Sequence, residues 1–184
     1  MGEKIVFLHG WFFENWLYVL IKRKIEKMGQ TVIMPDLGPC LEDVNEIVVN
    51  LERFIEDSLL KDFVLMGHSL GGIIALLYEK RNPGKAKKII AINSPFGGSP
   101  FIFWGSLFSK SAQQIMPGSQ FLRRLTEDPS AFKSDVFCFY AEFDELMSKE
   151  SAQLSFAKNI KINSMGHILS LYSESFIDSL KKIL

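Results

Sequence analysis

Apolar residues along this chain gather into short unbroken runs, separated by longer segments in which they recur every three or four positions. The runs are KIVFLHG (4–10), TVIMPD (31–36), DFVLMGH (62–68), KKIIAINS (87–94), DVFCFYA (135–141) and NIKIN (159–163). Most are continuously hydrophobic rather than alternating, as in parallel strands covered on both faces. The intervening segments predict helices. Residues 15–29 have Asn15 at the start, Lys and Arg late and Gly29 at the end, a full set of start and stop signals. Residues 42–60 carry one apolar stripe through Val44, Ile47, Val48, Leu51, Phe54 and Ile55. Residues 71–82 are apolar nearly all round, which predicts the most buried helix, and 173–184 closes the chain. Strand–helix alternation of this kind implies right-handed crossovers. The expected fold is α/β: a doubly wound, mostly parallel sheet of about six strands with helices on both faces.

One stretch breaks the alternation. From 95 to 133 no clear strand occurs, and the segment holds Phe96, Phe101, Phe103, Trp104 and Phe108. Long excursions of this sort are commonly functional, which suggests a lid or an acyl-binding wall. A local aromatic mini-core is the competing reading. No internal repeat or low-complexity linker divides the chain, so a single domain over 1–184 is expected.

Charge narrows the function classes. Lys plus Arg and Asp plus Glu both number 21, giving a formal net charge of zero. No basic stripe argues for nucleic acid and no acidic block for a tail. Two cysteines, Cys40 and Cys138, cannot build a disulfide framework, and Cys138 lies in an apolar run where a buried thiol is expected. The three histidines have no metal-ligand spacing, so neither a metal nor a cofactor is expected. The apolar opening stretch is interrupted by His9, Glu14 and Asn15 and lacks a small-residue cleavage site. No window reaches ~18 uncharged apolar residues. These features point to a cytoplasmic protein without a membrane span; oligomeric state is not legible.

The chemistry centres on FVLMGHSLGGII (63–74), where Ser69 stands between Gly67 and Gly71 after a strand and before a helix. A strand turning that sharply into a helix leaves no room for side chains at the two glycines, and the turn itself projects the serine hydroxyl above the sheet. The helix N-terminus beneath adds free N–H groups and partial positive charge. A simple turn would be less strained with Gly or Asn, so Ser69 is the candidate nucleophile. A serine hydroxyl needs a base to attack. His68 is its neighbour but points elsewhere in such a turn and is expected to support it. His167, in the small loop of NSMGHILSLY, is the candidate base; capping the last helix is its other reading.

A carboxylate must then hold the imidazole in the right tautomer. Asp144, in EFDELMS at the end of the fifth run, is the candidate, with Glu142 as the alternative and Asp135 at the wrong end of the strand. Two N–H donors are needed for a developing oxyanion. Leu70 follows the nucleophile, and Trp11 lies in the LHGWFFE loop, where Gly10 permits close backbone approach. A β-turn with a core tryptophan is the plainer reading of that loop. Candidate acyl-pocket residues are Phe12, Phe96, Phe101 and Trp104.

Taken together, FLHGW, GHSLGG, INSPFGGSP, IMPGSQFLRRL, YAEFD and MGHILSLYSE resemble the α/β-hydrolase superfamily over essentially the whole chain, and within it small bacterial lipases and carboxylesterases. The order Ser, Asp, His is also that family's. The resemblance implies catalytic Ser69, Asp144 and His167, with Trp11 and Leu70 as oxyanion donors, acting on small-molecule acyl esters. Thioesterase, amidase or acyltransferase activity would use the same groups, and a catalytically silent binding module is the reading from another class. A dehalogenase is disfavoured, because serine stands where that reaction needs a carboxylate.

Overall fold

The structure is a computed structural model and describes residues 2–12 and 15–184. Six strands, β1 (Lys4–Leu8), β2 (Thr31–Ile33), β3 (Phe63–His68), β4 (Lys88–Ile92), β5 (Asp135–Phe143) and β6 (Lys158–Met165), form one sheet in the order β2-β1-β3-β4-β5-β6. Every pairing is parallel. All strands therefore deliver their following loops to one rim, where open α/β sheets place their sites. The continuous apolar runs have their expected cause: both sheet faces are covered. Helices α2 (Val44–Asp57) and α3 (Leu70–Arg81) contribute to the core on one face, and α1 (Val19–Glu26) and α6 (Glu174–Lys181) to the core on the other.

Helix α3 buries ten of its twelve residues, Leu70 to Glu79, in accord with its unbroken apolar sequence. Helix α2 starts at Asp43, whose carboxylate accepts from Asn45 N–H, a cap worth about 1 kcal/mol. Ser173 caps α6 in the same way, so His167 does not. The first helical segment departs from expectation. Asn15–Tyr18 is a 3₁₀ turn, α1 begins only at Val19, and Asn15 is not a cap. Its side-chain amide instead donates to the Met34 and Pro35 carbonyls beyond β2.

Between β4 and β5 the excursion contains short helical pieces, among them α4 (Lys110–Gln114) and α5 (Gln120–Thr126), and no strand. The packing reading holds for part of the segment. Phe96, Ile115, Leu122 and Leu125 join the core, whereas Phe101, Phe103, Trp104 and Phe108 are exposed. Cys40 and Cys138 are both buried free thiols, and burial pushes each up to about 12. No helix among the described residues is long and apolar enough to cross a membrane.

Candidate functional site

Ser69 sits at the β3–α3 junction with φ 56° and ψ −123°, and serves as the helix N-cap without a side-chain cap bond. For a residue with a Cβ that conformation costs about 1–3 kcal/mol and persists only where the surroundings enforce it. They do. Ser69 N–H donates to the Ile92 carbonyl of the neighbouring strand at 2.9 Å. A Cβ on Gly67 would collide with the Gly71 main chain, and one on Gly71 with the carbonyls of Leu8 and His9. The two glycines thus let α3 start directly against β3 and β1.

His167 and Asp144 come from loops after β6 and β5. The pairing of those strands slips at its end, where Ala141 faces Ile162 but Phe143 faces Met165. Two residues of β5 therefore match three of β6, a bulge of the kind that re-aims side chains. Just beyond it, His167 Nδ1 lies 2.7 Å from Asp144 Oδ2, with side-chain exposures of only 1% and 4%. A carboxylate accepts, so Nδ1 carries the proton and Nε2 keeps its lone pair. That Nε2 is buried and has no hydrogen-bond partner among the described residues. The bond from Ser69 Oγ is thus not made in this conformation, and such bonds often tighten only around substrate. Glu142 does not approach the histidine; it pairs with Lys161 on the surface, and Asp135 pairs with Lys158 at the far end of the strand.

Glu145, adjacent to Asp144, has a part that residue type alone did not indicate. Its Oε2 accepts the His167 main-chain N–H at 2.8 Å. The His167 carbonyl accepts from Asn93 Nδ2 at 2.8 Å, His68 Nε2 at 3.0 Å and Ser170 Oγ at 3.2 Å. Asn93 adopts a left-handed φ of 45° directly after β4, and its Oδ1 accepts Ala141 N–H at 2.9 Å. The His167 loop is held by its main chain on both sides.

A cavity of about 230 Å³ opens over Ser69, lined by Trp11, Phe12, Phe101, Ile102, Ile115 and Met147 among others. Of the four candidate pocket residues, Phe12 and Phe101 line it. Phe96 is instead buried in the core and Trp104 is 74% exposed, and neither lines this cavity. The Trp11 ring does face it, while Trp11 Nε1 donates to Ser109 Oγ at 3.0 Å. Among the described residues the main-chain N–H groups of Trp11 and Leu70 have no acceptor.

Comparison with known proteins agrees with this architecture. A mature-form lipase from Bacillus licheniformis superposes with a TM-score of 0.79 at 15% identity, covering 99% of this chain and 91% of the other. An alpha/beta hydrolase from the metagenome of lagoon sediments at Mar Chica, Morocco, gives 0.77 at 21%, covering 100% and 90%. A monoacylglycerol lipase from Paleococcus ferrophilus gives 0.76 at 14%, covering 100% and 95%. At such identities the likeness is one of fold. No curated protein sequence matches the chain. The sequence pattern of one family does match, over residues 5–163, a span that runs from β1 through Ser69 and Asp144 into β6, and it places this chain in the alpha/beta hydrolase family.

Proposed function

We propose that the protein is a serine hydrolase of carboxylic esters, with Ser69 as nucleophile, His167 as base and Asp144 as the group that orients it. The observation that carries this reading is the buried lone pair on His167 Nε2, fixed in tautomer by Asp144, on a ring whose centroid is 4.6 Å from that of His68, the residue before Ser69. In the proposed reaction Ser69 Oγ attacks the ester carbonyl carbon and its proton passes to His167 Nε2. Asp144 stabilises the resulting imidazolium. The Leu70 and Trp11 N–H groups, which have no acceptor among the described residues, receive the oxyanion. The carbon–oxygen bond to the alcohol then breaks, and the alcohol departs with the proton from His167. Water attacks the acyl-enzyme, gives a proton to His167, and the acid leaves as that proton returns to Ser69 Oγ.

The one domain spanning 1–184 carries this chemistry, and part of the excursion over 95–133 forms the acyl wall. The cavity is smaller than the ~300–1,000 Å³ typical of sites for drug-sized ligands, which favours short acyl groups. Nitrophenyl esters of rising chain length, run beside a thioester, test the reading. Turnover by the wild type with a maximum at short chains, abolished in Ser69→Ala, is expected; ester turnover that survives in Ser69→Ala refutes it.

A further inference from the structure

The hydrogen bonds around His68 form a chain that the reaction as written does not use. Gly10 N–H donates to Tyr18 Oη at 3.1 Å, and Tyr18 Oη lies 2.9 Å from His68 Nδ1. His68 Nε2 lies 3.0 Å from the His167 carbonyl. Directions follow from chemistry alone. A carbonyl can only accept, so His68 Nε2 carries the proton; Nδ1 then accepts, and the Tyr18 hydroxyl donates to it while accepting from Gly10.

We propose that Tyr18 and His68 are positioning residues: this single chain of hydrogen bonds holds the loop after β1, the Ser69 turn and the His167 loop in fixed register. The inference rests on the proposed roles of Ser69 and His167. Tyr18 comes from the turn before α1, so the chain ties three loops that are far apart in sequence.

Three features set this apart from ordinary packing. First, Tyr18 and His68 are both fully buried, so water cannot substitute for a missing partner. Second, packing alone would be served by phenylalanine at position 18, where the ring already contacts Phe7 at 5.3 Å; the hydroxyl adds only the bridge. Third, the residue that grips the His167 backbone directly precedes the nucleophile, so one dipeptide sets both ends of the Ser69–His167 gap. Burial, with the His167 ring 4.6 Å away adding repulsion, holds the His68 imidazole well below the usual histidine range. It therefore remains a neutral donor and acceptor rather than a second cation beside the base. Asn93 and Ser170 share the same carbonyl, so loss of His68 should loosen the base without releasing it.

The test compares Tyr18→Phe, His68→Gln and His68→Asn, using kcat and KM on a short nitrophenyl ester, near-ultraviolet circular dichroism for folding, and nitrogen NMR for the His68 tautomer. Glutamine reaches the Nε2 position and keeps the donor to His167, whereas asparagine is too short. Expected kcat losses are within about threefold for His68→Gln, about tenfold for Tyr18→Phe and about thirtyfold for His68→Asn, with KM within about twofold throughout; misplacement of ~1 Å can cost ~100-fold. In the wild type His68 should be the Nε2–H tautomer, and in Tyr18→Phe a mixture. Equal losses for Gln and Asn, a folded His68→Asn with wild-type kcat, or losses confined to KM overturn the proposal. So does a wild-type His68 protonated at Nδ1, a readout that stands even where a variant does not fold. If Ser69→Ala remains active, the proposed function fails instead, and the tautomer measurement still decides the chain.

Discussion

Two halves of the rim are built on opposite terms. On one side His68, Asn93, Asp144, His167 and Ser170 are buried and joined by hydrogen bonds of 2.6–3.2 Å. On the other, the excursion shows Phe101, Phe103, Trp104, Leu107 and Phe108 to solvent. The excursion is nevertheless stitched down underneath. Ser111 Oγ donates to the Cys40 carbonyl, Ser109 Oγ and Lys110 N–H to that of Leu41, and Trp11 Nε1 to Ser109. The contrast separates two tasks. Under the proposed function, the atoms that would react are fixed by directional bonds in a water-poor setting, where such bonds are strongest. A wall that accepts an acyl chain needs only apolar area, which is non-directional.

The contrast is broken most severely at the bonded half. Ser69→Ala should lower kcat by a factor on the order of 10⁴ or more, leaving only what binding and the oxyanion donors supply. Asp144→Asn, which withdraws the acceptor fixing the His167 tautomer, should cost on the order of 10³–10⁴ in kcat. Glu142→Gln, on the surface with Lys161, should stay within about twofold. Steady-state kinetics on one ester rank all three, and a Glu142→Gln loss rivalling that of Asp144→Asn contradicts the site.

At the apolar half the effect should be smaller and selective. The double change Phe12→Ala, Phe101→Ala, at two residues that line the cavity, should reduce kcat/KM on an octanoyl ester about tenfold and on an acetyl ester by less than about twofold, since each lost CH₂ contact is worth ~0.8 kcal/mol. Its thermal midpoint should be nearly unchanged, because both side chains are exposed. Equal losses on both esters would remove the wall from the account.

The smallest expected effect concerns stability. His68 has a folded-state pKa below its unfolded value near 6.5, because burial and then His167 oppose its charge. The unfolded chain therefore takes up a proton first as pH falls. Stability is intact above pH ~6.5 and declines below it by up to about 1.4 kcal/mol per pH unit. Denaturant titrations from pH 7.5 to 5.5 should show this slope in the wild type and a shallower one in His68→Gln. Parallel profiles would deny the buried neutral histidine.

How much of this was legible beforehand follows from the range of each signal. Strand runs, the Ser69 turn and the loops bearing Asp144 and His167 are local patterns, and the all-parallel sheet follows from continuous hydrophobicity. Asn15 misled because its stop and start signals are also those of a residue bridging to the loop beyond β2. Nothing in the sequence ties Tyr18 or Asn93 to this rim, since their partners lie on other strands and loops. Glu145 stands beside Asp144, but only the structure beyond the bulge between β5 and β6 shows that Asp144 meets the His167 ring and Glu145 its backbone. In the excursion no periodicity separates inward from outward aromatics, so sequence alone places Phe96 and Trp104 in a pocket that neither lines.

The most direct measurement is covalent labelling by a fluorophosphonate, read by peptide mass after digestion. One adduct is expected, on Ser69, that forms in the wild type, slows sharply in His167→Ala and is absent in Ser69→Ala. An adduct on another residue, or one that forms equally fast without the imidazole of residue 167, contradicts it.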